Sequence, residues 1–284
     1  MSKPPKNKGF KAHKSRNMRP SRSKGMKTHA DMAKPRPNRQ ANPDSGMSGS
    51  WIWGAHAGEA ALKNPKRTLH KIIMTPKWAD RLKIHPSKPI RGITPQIVSP
   101  ADIDSLLPEG ASHQGIALSC APLPAQSLHD IAGTAKGLLI VLDQITDPHN
   151  VGAIFRLAKA FNAKAVIMQS RNAPPLTGAT AKVAVGTVES VPHIHVTNIA
   201  NTLLELQKMN WRVTGLAGEA NITLQQAFHN SDAEVLVLGA EGPGLRKRVR
   251  DCCDQLAKIP MPGGAESLNV STAAAIALYE ASRE

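Results

Sequence analysis

Aromatic side chains are scarce, at only 3% of 284 residues. A core must therefore come from Val, Ile, Leu and Ala, and a hydrophobic content of 41% is enough to build one. Cysteine is scarce too. Cys120 and the adjacent Cys252 and Cys253 form no Cys-x-x-Cys spacing, so neither a disulfide framework nor a zinc site is indicated. Such usage suits a reducing compartment. No apolar run approaches the ~20 residues of a membrane-spanning helix, and the N-terminus lacks the apolar core of a secretory signal. A cytoplasmic protein with no membrane partner is expected. Acidic residues are also few: 21 Asp and Glu face 36 Lys and Arg, for a formal net charge of +15. That excess points to a polyanionic partner, RNA above all; the bland alternative is a solvated basic surface.

The charge is concentrated. Residues 1–50 hold 13 Lys and Arg against Asp31 and Asp44, a net +11, which leaves +4 for the other 234 residues. This segment has almost no large apolar side chains, so burial cannot offset its ordering entropy, and it reads as a disordered basic tail. It is either a non-specific arm on phosphates or a solubilising extension. Residues 51–122 read as a small α/β domain. A helix runs up to Asn64-Pro65, strands are expected at 69–74, 96–98 and 113–118, and helices at 78–84 and 100–107. Residues 123–137, with Pro124, Gly133 and Gly137, read as a linker.

From 138 to 284 the pattern becomes α/β. Strands are expected at 138–142, 165–168, 193–196, 212–216, 235–238 and 257–260. Helices are expected near 150–161, 178–186, 199–209, 245–253 and 270–282. Short β-branched runs between helices predict a mostly parallel sheet with helices on both faces. In such folds a ligand sits beyond the carboxyl ends of the strands.

Three loops at those ends carry unusual residues. The first, 143–156, leads into a helix near Asn150 whose apolar stripe is Val151, Ile154, Phe155 and Ala158, with Arg156 off that stripe. Taken alone, Asn150 is an ordinary N-cap and Arg156 a solvated helix residue. The second, Leu238-Gly239-Ala240-Glu241-Gly242-Pro243-Gly244, places a carboxylate in a glycine-rich turn that permits close backbone approach. It fits neither GxGxxG nor a phosphate loop. The third runs from Ile259-Pro260-Met261 to Ser267-Leu268-Asn269-Val270-Ser271, where Ser267, Asn269 or Ser271 is a plausible helix cap. The helix after it is apolar on nearly every face, which calls for burial, for instance against a second subunit.

Together and in this order, the three loops resemble the motifs of the SPOUT superfamily of RNA methyltransferases, in particular its SpoU/TrmH family. The likeness covers about half the chain. Upstream, Gly54-Ala55-His56-Ala57, Asn64-Pro65-Lys66-Arg67 and His113-Gln114-Gly115-Ile116 resemble the substrate-binding domain of the RlmB-type members, which modify a guanosine ribose in 23S ribosomal RNA. Ala173-Pro174-Pro175-Leu176-Thr177, Lys182, Gly186 and Glu189 follow the same pattern. Trp53 stands where a tyrosine is common and Ala184 where serine is usual, both outside the three core motifs.

The resemblance implies a C-terminal trefoil knot, an obligate homodimer and S-adenosylmethionine as cofactor. It implies that Leu238, Gly239, Gly242, Ile259, Met261 and Leu268 hold the cofactor, with backbone groups of Gly239, Ile259 and Leu268 foremost. Asn150, Arg156, Glu241, Ser267 and Asn269 would form the catalytic group. A ribose hydroxyl needs proton removal and alignment with the methyl donor. Arg156 is the family's candidate for activating it, but a guanidinium is normally protonated. Phosphate binding or alkoxide stabilisation is the more cautious role, with Glu241 orienting Arg156 and the two asparagines fixing geometry. No metal is implied: His193 and His195 share a strand face without a third ligand. Ser267 lacks the GxSxG context of a hydrolase nucleophile. The alternatives are a transfer-RNA ribose methyltransferase and a non-catalytic, ribosome-associated RNA-binding protein.

Overall fold

The computed structural model describes residues 50–85, 87–228 and 232–283. The expected tail of residues 1–50 lies outside the described residues except for Ser50, which opens a strand.

The first half is a four-stranded sheet. In chain order its elements are β1 (Ser50–Trp53), α1 (Ala55–Lys63), β2 (Leu69–Met74), α2 (Pro76–Arg81), β3 (Gln96–Ile97), α3 (Pro100–Asp104) and β4 (Ile116–Cys120). The strands lie in the order β1-β4-β2-β3, with β4 antiparallel to both neighbours and β2 parallel to β3. Ile52, Ile72, Met74, Ile116 and Leu118 fill its core against α1 and α2. Strand β1 is an addition to the sequence reading, which began the structured region with a helix. Gly54, at φ 95, separates the strand from α1.

The second half continues with α4 (Leu128–Ala132), β5 (Gly137–Asp143), α5 (Pro148–Ala160), β6 (Ala165–Gln169), α6 (Gly178–Ala184), β7 (His193–Val196), α7 (Ile199–Lys208), β8 (Arg212–Leu216), β9 (Ile222–Thr223), α8 (Leu224–Ala227), β10 (Ala233–Gly239), α9 (Lys247–Arg250), β11 (Gln255–Lys258) and α10 (Val270–Ala281). Seven strands pair in the order β7-β6-β5-β10-β8-β11-β9, and every pairing is parallel. Because successive strand residues point to opposite faces, β5 and β10 feed two cores. Leu138, Ile140, Leu142, Leu236 and Leu238 pack with α5 and α10 on one side. Leu139, Val141, Val235 and Val237 pack with α7 and Trp211 on the other. The expected stripe on α5 is buried as read.

Three local differences have physical causes. The segment read as a linker contains α4, whose Ala132 is fully buried and accepts a 2.9 Å hydrogen bond from Trp211 Nε1, so it belongs to the second core. Helix α5 begins at Pro148, earlier than expected, because Asp147 caps it by accepting from His149 N at 3.0 Å. Asn150 is therefore not a cap. The short pair β9 and α8 was not anticipated; a capping box between Thr223 and Gln226 starts that helix.

Candidate active site

Strand order decides which loops can meet. Beyond β5 the chain moves to β6 and β7 on one flank, while β10, β8 and β11 lie on the other, so the β5/β10 boundary is where the sheet changes direction. Loops leaving the carboxyl ends of β5 and β10 face each other there, as ligand-binding loops of parallel sheets do. An ion pair pins them, its carboxylate buried and its guanidinium partly exposed. Asp143, at the end of β5, is fully buried; it lies 2.6 Å from Arg246 Nη2 and accepts hydrogen bonds from Arg246 Nε at 2.8 Å and Arg246 N at 3.0 Å.

Three of the five expected catalytic residues meet at this boundary. Asn150 Nδ2 donates to Glu241 Oε1 at 2.9 Å. Asn269 Nδ2 donates to the same carboxylate oxygen at 2.6 Å and to Asn150 Oδ1 at 3.0 Å. Val270 N also donates to Glu241 Oε1, at 3.3 Å. Each of these bonds to the carboxylate lands on Oε1, and among the described residues Oε2 has no partner. Asn269 does two jobs at once. Its Oδ1 caps α10 by accepting from Ser271 N at 2.9 Å and Thr272 N at 3.3 Å, while its amide nitrogen ties the cluster together.

Ser267 stands apart from this triangle, exposed on the loop before α10, where it lines the neighbouring cavity. Arg156 is six residues beyond Asn150 on α5; at ~100° per residue it occupies a different face of the helix. It is exposed and makes no hydrogen bond or ion pair among the described residues. Glu241 is thus held by asparagines rather than engaged with Arg156, contrary to the orienting role expected for it.

Beside the triangle lies a cavity of about 350 Å³. Leu238, Gly239, Gly242, Ile259, Met261 and Leu268, the six residues expected around a cofactor, all line it. Gly239 is required by close packing. A Cβ there would fall 2.5 Å from both the Gly244 carbonyl oxygen and Leu245 N, inside the turn that folds back on it. Sequence reasoning missed one wall, Leu216 to Glu219, together with Arg250, which pairs with Glu219 at 2.6 Å. The available signal was the glycine at the end of β8, but its relevance depends on β8 lying beside β10.

Among the described residues, no three His, Cys, Asp or Glu side chains gather as metal ligands, and no helix is long and apolar enough to cross a membrane. His193 is buried, with its pKa pushed down to about 4 by burial first and then by His195. The rings meet edge-on at 5.5 Å.

Residues 137–279, which contain all three loops, match the SpoU rRNA Methylase family. The chain belongs to the SpoU family. Residues 51–126 of this SpoU protein match a second family, described as RNA 2′-O ribose methyltransferase substrate binding. It is 40% identical over 244 residues to the 23S rRNA (guanosine-2′-O-)-methyltransferase RlmB of Vibrio vulnificus, covering 84% of this chain and 98% of the relative. It is also 40% identical to the RlmB of Escherichia coli over 240 residues, with coverage of 82% and 98%. Its fold is similar to an AdoMet-bound rRNA methyltransferase from Sinorhizobium meliloti, with a TM-score of 0.69 and 22% identity, covering 82% of this chain and 86% of that one. At that identity the likeness is one of fold.

Proposed function

We propose that this SpoU protein transfers a methyl group from S-adenosylmethionine to the 2′-hydroxyl of a guanosine ribose in 23S ribosomal RNA. The observation that carries the proposal is the meeting of Asn150, Glu241 and Asn269 at the mouth of a glycine-lined cavity. The RlmB relatives, matched over nearly their whole length, supply the substrate class.

The cavity suits the cofactor. Its volume falls in the ~300–1,000 Å³ range of small-molecule sites, its walls include Leu216, Leu238, Ile259 and Leu268, and the glycine-rich turn brings backbone polar groups to its edge. Gly239, Gly242, Ile259, Met261, Leu238 and Leu268 would hold the group, which supplies an electrophilic sulfonium methyl when bound. The chain's own residues handle the nucleophile. Glu241 is fixed by three donors on one oxygen, which leaves Oε2 to accept a hydrogen bond from the ribose hydroxyl. The two asparagines cost the site no reorganisation, because their bonds are already formed. Arg156, permanently cationic and without an internal partner, takes an RNA phosphate or stabilises the developing alkoxide. Ser267, on the cavity rim, completes the catalytic group. Positioning of this kind supplies several kcal/mol of a barrier of about this type.

The proposal extends to the rest of the molecule. Residues 51–122 act as an RNA-binding domain and 138–284 as the methyltransferase domain, with the superfamily's trefoil knot in the latter and a cytoplasmic location. A homodimer is supported by α10, which exposes Ile276 (39%) and Tyr279 (59%) on one face while Val270, Ala273, Ala274, Ala277 and Leu278 are buried on the other. Mapping ribose methylation on 23S rRNA from cells lacking the protein tests the function. One missing 2′-O-methylguanosine supports it, and an unchanged methylation map refutes it.

A further inference from the structure

Several motif residues play no part in the methyl-transfer site: Asn64 and Arg67 in the first half, Gln114 beside β4, and Lys182 and Glu189 in the second half. They meet one another across the seam between the two sheets. Glu189, in the turn after α6, accepts from Arg67 Nη2 at 2.6 Å, from Arg67 Nε at 3.1 Å and from Asn64 Nδ2 at 2.7 Å. Arg67 Nη1 donates to the Ala121 carbonyl at 3.0 Å. The side chains of Arg67 and Glu189 are 0% and 5% exposed. A guanidinium so buried and so fully partnered cannot reach a phosphate.

A second contact lies along the same seam. Lys182 Nζ, on α6, donates to Gln114 Oε1 at 2.5 Å, and that oxygen also accepts from Ala55 N at 3.0 Å. Burial lowers the Lys182 pKa. Packing is continuous as well: Ala181 of α6 belongs to the apolar core of the small sheet, with Ile52, Ala57 and Met74. Gly186, at φ 86, lets the turn after α6 approach α1 so closely that a Cβ would fall 2.7 Å from the Ala60 Cβ.

The seam connects to the chemistry in two steps. Helix α6 packs directly on α5, where a Cβ on Gly152 would fall 2.7 Å from the Thr180 carbonyl oxygen. Gly152 is two residues from Asn150. The small sheet is therefore braced against the same helix that presents Asn150 and Arg156.

We infer that Asn64, Arg67 and Gln114 clasp Glu189 and Lys182 as positioning residues, which set where the RNA-binding sheet stands relative to the methyl-transfer loops. What is positioned rests on the proposed function; the seam itself does not. A buried pair of this kind stabilises little compared with an apolar seam, but removing one partner strands the other charge, so the pair enforces one arrangement of the two halves.

The test uses the full chain with Glu189→Gln, and Lys182→Met at the half-buried contact in case the first variant fails to fold. Hydrogen exchange without RNA is expected to quicken in β1, α1 and α6 of both variants. S-adenosylmethionine affinity by calorimetry should stay unchanged, while kcat/KM for 23S rRNA falls about tenfold or more, as small misplacements of reacting groups allow. Unchanged exchange in both variants overturns the clasp. So does quicker exchange with unaltered rRNA kinetics. If Lys182→Met lowers the slope of log affinity against log salt by about one, Lys182 is a phosphate contact and the inference also fails. A wild-type chain that methylates no RNA would sink the function instead, and the exchange data would still decide whether the seam holds.

Discussion

Asn150 and Glu241 stand 91 residues apart in the chain and are joined by a 2.9 Å hydrogen bond. Glu241 sits just past the carboxyl end of β10 and Asn150 in the first turn of α5, the helix that follows β5, and those strands are parallel neighbours. Asn269 closes the triangle from the start of α10, so the three loops are held in register before any ligand arrives.

The double role of Asn269 separates two substitutions. Asn269→Asp keeps an oxygen to cap α10 but removes both amide donors and places a second carboxylate against Glu241. Turnover should be lost while the melting temperature changes little. Asn269→Ala should lose turnover and about 1 kcal/mol of stability with the cap. Initial rates and thermal melts of the two variants check this.

Arg156 is exposed and unpartnered among the described residues, so it contributes little to folding. Arg156→Ala should abolish methyl transfer while the melting temperature and the proposed dimer persist. Near-normal turnover in that variant would remove Arg156 from the catalytic group.

Gly239→Ala places a methyl group against the backbone of Gly244 and Leu245, which cannot yield as a flexible side chain does. The turn must open. Calorimetric titration should show S-adenosylmethionine binding lost or greatly weakened, while secondary structure by circular dichroism is retained.

Much of this was legible in the chain, for reasons that differ by element. The stripe Val151, Ile154, Phe155 and Ala158 announces α5 because helical period and burial coincide there. The strand pattern placed ligand-binding loops at the carboxyl ends of the sheet, but the six cavity residues themselves came from the resemblance to the SpoU/TrmH motifs. Asn150 was ambiguous, since an asparagine near a helix start reads as a cap; Asp147 and Pro148 take that role, and Asn150 is left to the site. The wall from Leu216 to Glu219 was not legible, because it depends on β8 being the neighbour of β10, which is a long-range fact. The same holds for Arg67 and Glu189, which are 122 residues apart.

His193 gives the fold a pH dependence. Its folded pKa is about 4, below the ordinary histidine value, because burial disfavours the imidazolium. Between about 4 and the unfolded value near 6.5, the unfolded chain binds the extra proton. Stability is therefore fully present above about pH 6.5 and is lost as the pH falls toward about 4. Melting temperatures across that window should drop for the wild type and flatten for His193→Gln.

The +11 carried by residues 1–50 is most of the protein's net charge. Deleting them should weaken RNA binding and lessen its salt dependence, because fewer counterions are released, while S-adenosylmethionine affinity stays the same. Unchanged RNA affinity would assign the tail a solubilising role.

The most direct measurement is analysis of the nucleosides formed when the purified protein, S-adenosylmethionine and unmethylated 23S rRNA react. The account predicts 2′-O-methylguanosine from the wild-type chain and none from Arg156→Ala or Asn269→Asp. Methylation on a base, or equal yield from all three proteins, would contradict it.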